Sequence, residues 1–411
     1  MLKSFTVENS HCFGDSVTLD MSAELNGESL DEDGNPMPKQ SEVYEVVRER
    51  KAGRQFGILP VAAIYGKNSS GKSRLLKLLG DIAKDILPND MREREDNEPS
   101  SHVIHNHISF IINDCEYELR YSKAGRVITS ETFTVCDLGK EDLTPQLIYD
   151  RHSTEYETLF PLGEELAHRR FDENWLWFTY LYWREDCGLI HKRMGRALCS
   201  LDISTGKTDG FDFYERLIVA DKDSSIRTNM RHILKCLDPS IVGMRIIRTD
   251  PYNSRRELDI WHKRPYGSIS EVPLNEDSEG VQRLAILLPC IIRALDEGSI
   301  YVCDGLDKDL HPIVFKQLVR MFNDPEINKR NAQLIFTAHD TIVLDSDLLR
   351  KDEVHIIDKD ENLVSVVNRL DKFTYVKPYP PMEFDYRTGF YYSFPEKFWE
   401  CHLNPGDENV N

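Results

Sequence analysis

Apolar and polar residues alternate at Phe5 and Val7, and again at Val17, Leu19 and Met21, with a polar stretch between. This predicts a strand, a turn over 9–15 and a second strand. Residues 23–55 are polar, with turn signals at Asn26-Gly27 and Asp33-Gly34-Asn35, and read as a long surface loop. Ile58 to Tyr65 is an unbroken apolar run, the pattern of a strand covered on both faces. Beyond a Gly/Ser-rich turn, Leu75, Leu76, Leu78, Leu79, Ile82 and Ile86 recur at helical spacing. Period-2 patterns over 107–136, with a turn at Lys123-Ala124-Gly125-Arg126, predict an antiparallel meander.

Residues 140–240 break this rhythm. Trp175, Trp177, Phe178, Tyr180, Tyr182 and Trp183 crowd together, and the stretch reads as a mostly helical lobe with these aromatics as its core. From 241 onward short apolar strands return at Tyr301–Asp304, Leu334–Thr337 and Val354–Ile357. A helical pattern between the first two predicts a βαβ unit. The expected organisation is an N-terminal half over 1–139, a lobe over 140–240 and a C-terminal half over 241–411. The fold class is α/β, with a mainly parallel core sheet, an antiparallel meander and an inserted helical lobe.

Charge narrows the range of functions. The 411 residues carry 51 Lys+Arg against 70 Asp+Glu, a net charge of −19. That balance argues against a general nucleic-acid coat or an anionic-membrane role, which need basic surfaces. The nine cysteines are scattered without a CxxC pair, so neither zinc nor a disulfide framework is indicated. His102, His105 and His107 have no neighbouring Cys or acidic ligand and read as ordinary strand residues rather than a metal site. The longest apolar run, Leu284 to Ile292, contains Pro289 and is too short to span a bilayer. With no leader pattern at the N-terminus, a cytoplasmic protein without membrane contact is expected.

One segment carries specific chemistry. Gly66-Lys67-Asn68-Ser69-Ser70-Gly71-Lys72-Ser73 matches G-x-x-x-x-G-K-[ST] between a buried-type strand and an amphipathic helix. Glycines let the backbone curl round a phosphate chain, so that successive N–H groups and the helix N-terminus face it. Lys72 is placed for the β/γ-phosphates and Ser73 for Mg²⁺. ATP and Mg²⁺ are therefore the expected ligands. Ile300-Tyr301-Val302-Cys303-Asp304 is an apolar strand ending in an acid that can hold Mg²⁺ through water. Leu334 to Asp340 is another strand, running to His339 near the expected γ-phosphate. Ser278, Gly280 and Gln282 precede a helical run; Ser278 is either a plain cap or part of a second anion site.

In this order, Gly66–Ser73, Ser278-Glu279-Gly280-Val281-Gln282, Asp304 and His339 resemble the ATP-binding-cassette type of P-loop ATPase. The likeness is to the prokaryotic AAA15-like, or overcoming-lysogenisation-defect-like, group related to RecF and SMC heads. Met1–Asn9, Leu59–Gly66, Leu306–Pro312 and Tyr386–Pro395 carry it along the chain. The resemblance implies that Ser278, Gly280 and Gln282 contact ATP held by a second copy, in a head-to-tail dimer or a higher oligomer. It also implies that His339 is a switch histidine and that Asp309 lies near the interface. A catalytic role would fall to Asp304 and His339.

One position departs from the group. Its second acid is followed by Glu, which activates water, whereas Asp304 is followed by Gly305. Such a base contributes about 10²–10⁴-fold, so slow or partner-dependent hydrolysis is expected. Asp307 or Asp309 could substitute in part. The resemblance implies a sensor or scaffold subunit of an antiphage defence system, controlling a separate effector encoded nearby. The alternatives are a RecF-like DNA-binding repair ATPase, with the Arg-rich stretch 245–256 lining a groove, and a non-hydrolysing ATP-bound scaffold.

Overall fold

The computed structural model describes residues 1–10, 12–14, 16–24, 44–45, 56–86, 102–112, 115–138, 143–151, 176–179, 202–204, 217, 220–248, 256–344, 348–373 and 382–387. The first half contains β1 (Leu2–Glu8), β2 (Ser16–Asp20), β3 (Ser22–Glu24), β4 (Tyr44–Glu45), β5 (Phe56–Ile58), β6 (Val61–Gly66) and α1 (Lys72–Ile86). Next come β7 (Val103–Ile112), β8 (Cys115–Ala124), β9 (Val127–Asp137), β10 (Gln146–Asp150) and β11 (Asp202–Ser204). The second half contains α2 (Ser224–Leu237), β12 (Ile241–Arg248), β13 (Arg256–Lys263), β14 (Ile269–Pro273), α3 (Glu279–Glu297) and β15 (Ile300–Cys303). It ends with α4 (Pro312–Asn323), β16 (Gln333–Thr337), β17 (Val354–Lys359), β18 (Ser365–Arg369) and the short α5 (Met382–Arg387).

The core sheet has the order β11-β15-β16-β6-β17-β18. All its pairings are parallel except β17 with β18. All six residues of β6 are buried, as its unbroken apolar run requires. Helix α1 buries the predicted stripe Leu75, Leu76, Leu78, Leu79, Ile82 and Ile86. Helix α3 is held at both ends. The Ser278 side chain accepts from Val281 N, and Gly298 ends the helix at φ 69° with its N–H donating to Ala294 O.

The meander forms a second sheet, β10-β9-β8-β7-β1-β2, antiparallel throughout. Its inner face and α1 share one apolar cluster with Ile64, Ile300, Val302 and Ile335 of the core sheet. Gln333 stitches the sheets together. Its amide donates to Leu2 O and Leu59 O, and its oxygen accepts from Leu2 N.

Several expectations need correction. The stretch 23–55 is not all loop: β3 and β4 pair on either side of β5 in a small sheet. Their two or three residues are too few to show a period. The apolar run 58–65 is two elements, because β5 ends at Ile58 and β6 starts at Val61 beyond Pro60. Among its described residues, the stretch 140–240 supplies β10 to the meander and β11 to the core sheet besides helix α2, and the rest of the expected helical lobe lies outside the described residues. Leu176, Trp177 and Phe178 are buried against the meander, with Phe133 against Phe178 and Tyr149 against Trp177. They are thus core, but of the meander. Trp175, Tyr180, Tyr182 and Trp183 lie outside the described residues. Within 241–273, β12, β13 and β14 form an antiparallel sheet that the charged alternation of its strands concealed.

Candidate functional site

The turn between β6 and α1 needs unusual backbone. Gly66 has φ 149°, and a Cβ there would lie 2.1 Å from Ile357 O. Gly71 has φ 113°, and Ser69 enters the left-handed region at φ 62°. The chain thereby turns tightly enough for Lys72 to reach back over it. The buried ammonium donates to Gly66 O at 2.7 Å and Lys67 O at 2.8 Å. Burial lowers the Lys72 pKa from its ordinary value, while the charges of Asp304 and Asp307 act to raise it.

The parallel order β15-β16-β6 brings the other predicted groups to the same sheet end. A cleft of about 560 Å³ is lined by Asn68, Ser69, Ser70, Gly71, Lys72 and Ser73 on one side. Asp304, Gly305, Asp307, Thr337 and His339 line it as well. Strand ends of a parallel sheet are where such folds bind ligands. The cleft is built to hold an anion: it combines a cation, a helix N-terminus and a glycine-shaped cradle. Inside it the Ser70 hydroxyl oxygen is buried with no hydrogen-bond partner among the described residues. An unsatisfied buried polar atom in a phosphate-type cradle fits a ligand that would bond it. Ser73 and Asp304 offer the hydroxyl and carboxylate oxygens that suit Mg²⁺.

Thr337 organises the turn after β15. Its hydroxyl donates to Asp304 Oδ1 at 2.5 Å and accepts from Gly305 N at 2.7 Å. Buried Arg283, from α3, donates to Gly305 O at 2.8 Å. Asp307 Oδ2 accepts from His339 N and Asp340 N, each at 2.9 Å, and the Tyr65 hydroxyl donates to Asp340 O. Behind the loop the Tyr386 hydroxyl accepts from Gly66 N at 3.2 Å. Sequence reading missed Thr337 and Arg283, although Thr337 stands two residues before the predicted His339.

Ser278, Gly280 and Gln282 do not join this cleft. They sit at the N-terminal end of α3. There Gln282 Nε2 donates to Asp277 O at 2.7 Å, and a Cβ on Gly280 would lie 3.4 Å from Asp309 O. Asp309 is likewise outside the cleft, whereas Asp307 is within it. The histidines at 102, 105 and 107 have separate partners in Asn9 O, Ser122 and Glu118. The Arg245 guanidinium is ion-paired with Asp259 and Glu271. Residues 249–255 of that Arg-rich stretch lie outside the described residues.

Residues 206–345, about a third of the chain, match a family described as "AAA domain, putative AbiEii toxin, Type IV TA system". The matched stretch contains Ser278–Gln282, Asp304 and His339 but not the 66–73 loop. No curated protein matches the chain. Among solved structures, the SmcHead bound to the C-winged helix domain of ScpA is 14% identical at a TM-score of 0.46. That match covers 89% of this chain and 96% of the other. The SMC head domain from Thermotoga maritima is 14% identical at a TM-score of 0.41, covering 90% and 98%. Similarity of this degree speaks to neither substrate nor partner.

Proposed function

We propose that the protein is an ATP-binding ATPase of the ABC type, slow in hydrolysis on its own. One observation carries this reading: Lys72, Ser73, Asp304 and His339 meet in one cleft, with glycine where a general base would stand. The N–H groups of the 66–73 loop and Lys72 would hold the phosphates, and Ser73 and Asp304 would hold Mg²⁺, which neutralises phosphate charge when bound. Thr337 orients the Asp304 carboxylate, and Asp307 fixes the backbone on which His339 is carried. No side chain at 305 can take a proton from water.

The expected result is tight binding of a fluorescent ATP analogue with turnover well below about 10 per second, the ordinary enzyme median. Lys72→Ala is expected to abolish binding. Turnover of tens per second, lost in that variant, overturns the slow-hydrolysis reading.

In this reading Ser278, Gly280 and Gln282 meet nucleotide held by a second copy, and the chain is the regulatory or scaffold half of an antiphage defence system. The effector is a separate protein encoded nearby. The −19 charge and the ion-paired Arg245 favour a protein partner over DNA. A pull-down with the products of neighbouring genes, with and without ATP, tests this role. Recovery of DNA in place of protein favours the RecF-like alternative.

A further inference from the structure

A half-buried polar chain leads from the β12-β13-β14 sheet to the front of α3. His262, near the end of β13, is 9% exposed. Its Nε2 lies 2.8 Å from Asp277 Oδ2, and its Nδ1 lies 2.9 Å from Ser240 Oγ. An ionised carboxylate can only accept, so Nε2 carries a proton, while the Ser240 hydroxyl can serve Nδ1 as donor or acceptor, with Asp238 Oδ2 4.0 Å from the same nitrogen. Ser240 is itself tied down, its N–H donating to Asp238 Oδ1 and its carbonyl accepting from Lys263 N.

Asp277 is where this chain meets the helix. Its second carboxylate oxygen accepts from Ser278 N at 2.7 Å, and its carbonyl accepts from Gln282 Nε2 at 2.7 Å. One aspartate therefore sets the orientation of both Ser278 and Gln282. Its own rotamer is fixed by His262 from the neighbouring sheet. Such outer partners commonly decide whether a site is held within tenths of an ångström of its working geometry.

We propose that His262, acting through Asp277, is a positioning residue for Ser278 and Gln282. It makes the antiparallel sheet a support for the surface that meets nucleotide on the second copy. This rests on the reading of Ser278, Gly280 and Gln282 given above. His262 touches no nucleotide. Without it the Asp277 carboxylate keeps only its bond from Ser278 N, and the link between this sheet and the residue that Gln282 and Ser278 both bond is cut.

The two ring nitrogens allow a chemically specific test on the full chain. Glutamine can reproduce the Nε2–H donor to Asp277, whereas asparagine reproduces only the reach of Nδ1. The readout is association of copies in sedimentation velocity with a non-hydrolysable ATP analogue. Loss of a charge-assisted hydrogen bond predicts weakening by about tenfold or more in His262→Asn. His262→Gln is expected within about threefold of the parent. Equal loss in both variants, or no loss in His262→Asn, overturns the positioning role. Ser278→Arg separates the two levels. If it leaves ATP-dependent association intact, or the parent protein shows none, the reading of the α3 end falls and the positioning role with it. If it abolishes association and His262→Asn does not, only the role of His262 falls.

Discussion

On the proposed reading, Gly305→Glu should raise ATP turnover at a modest cost in stability. Gly305 sits at φ 68°, where a side chain costs about 1–2 kcal/mol. Space does not add to that cost, because a Cβ would meet only Lys308 Cβ, at 3.9 Å. The bonds that fix the turn are made by backbone atoms, Gly305 N to Thr337 Oγ1 and Gly305 O from Arg283, and they survive the change. The variant is therefore expected to fold and to melt only about 1–2 °C lower, given the size of the 411-residue chain. Because position 305 lines the cleft beside Asp304, a carboxylate there can take a proton from water. General-base catalysis is worth about 10²–10⁴-fold. Steady-state phosphate release by purified parent, Gly305→Glu and Gly305→Ala would measure it. Gly305→Ala carries the same strain without the carboxylate. Equal turnover in Glu and Ala variants would refute the reasoning that the missing acid limits hydrolysis.

Other changes have equally definite outcomes. Gly66→Ala drives a Cβ to 2.1 Å from Ile357 O and should abolish nucleotide binding while lowering the melting temperature; unchanged binding would show that the loop backbone is dispensable. Asp307→Ala leaves His339 N and Asp340 N without their acceptor and should cost about 1–3 kcal/mol of stability, read by urea unfolding. His355 is buried in β17, and burial, helped by Arg369, lowers its pKa from 6.5 to about 4. The unfolded chain therefore takes up a proton that the folded chain refuses. Stability should fall as pH drops from about 6.5 towards 4, by up to about 3 kcal/mol, and be fully present above that window. His355→Leu should flatten this part of the curve; an unchanged slope would assign it to other groups.

What could be read from the sequence follows the reach of each interaction. The 66–73 loop is contiguous, and its chemistry demands a local pattern, so the residues that line the cleft from Asn68 to Ser73 could be named in advance. Asp304 and His339 were placed by their strand ends, because neighbouring parallel strands carry their C-terminal residues to one edge. Thr337 bonding Asp304, and Arg283 reaching Gly305, depend on which strands and helices are neighbours, and no periodicity encodes that. Strands β3, β4, β10 and β11 are short and gain their place from pairing partners rather than from pattern. The aromatics at 177 and 178 showed a core but not whose. Only the meander says that Phe133 and Tyr149 are their neighbours.

The loop carrying His339 is held by Asp307 below and Tyr65 beside it, through bonds wholly internal to the protein. Ordering a loop at the moment of binding normally subtracts from affinity, since its conformational entropy is lost then. Here that entropy has been surrendered during folding. A ligand bound against this segment would therefore pay little of that cost. The same bonds link the turn after β15 and the loop after β16 to Tyr65 of β6, so displacing one of these segments strains the others.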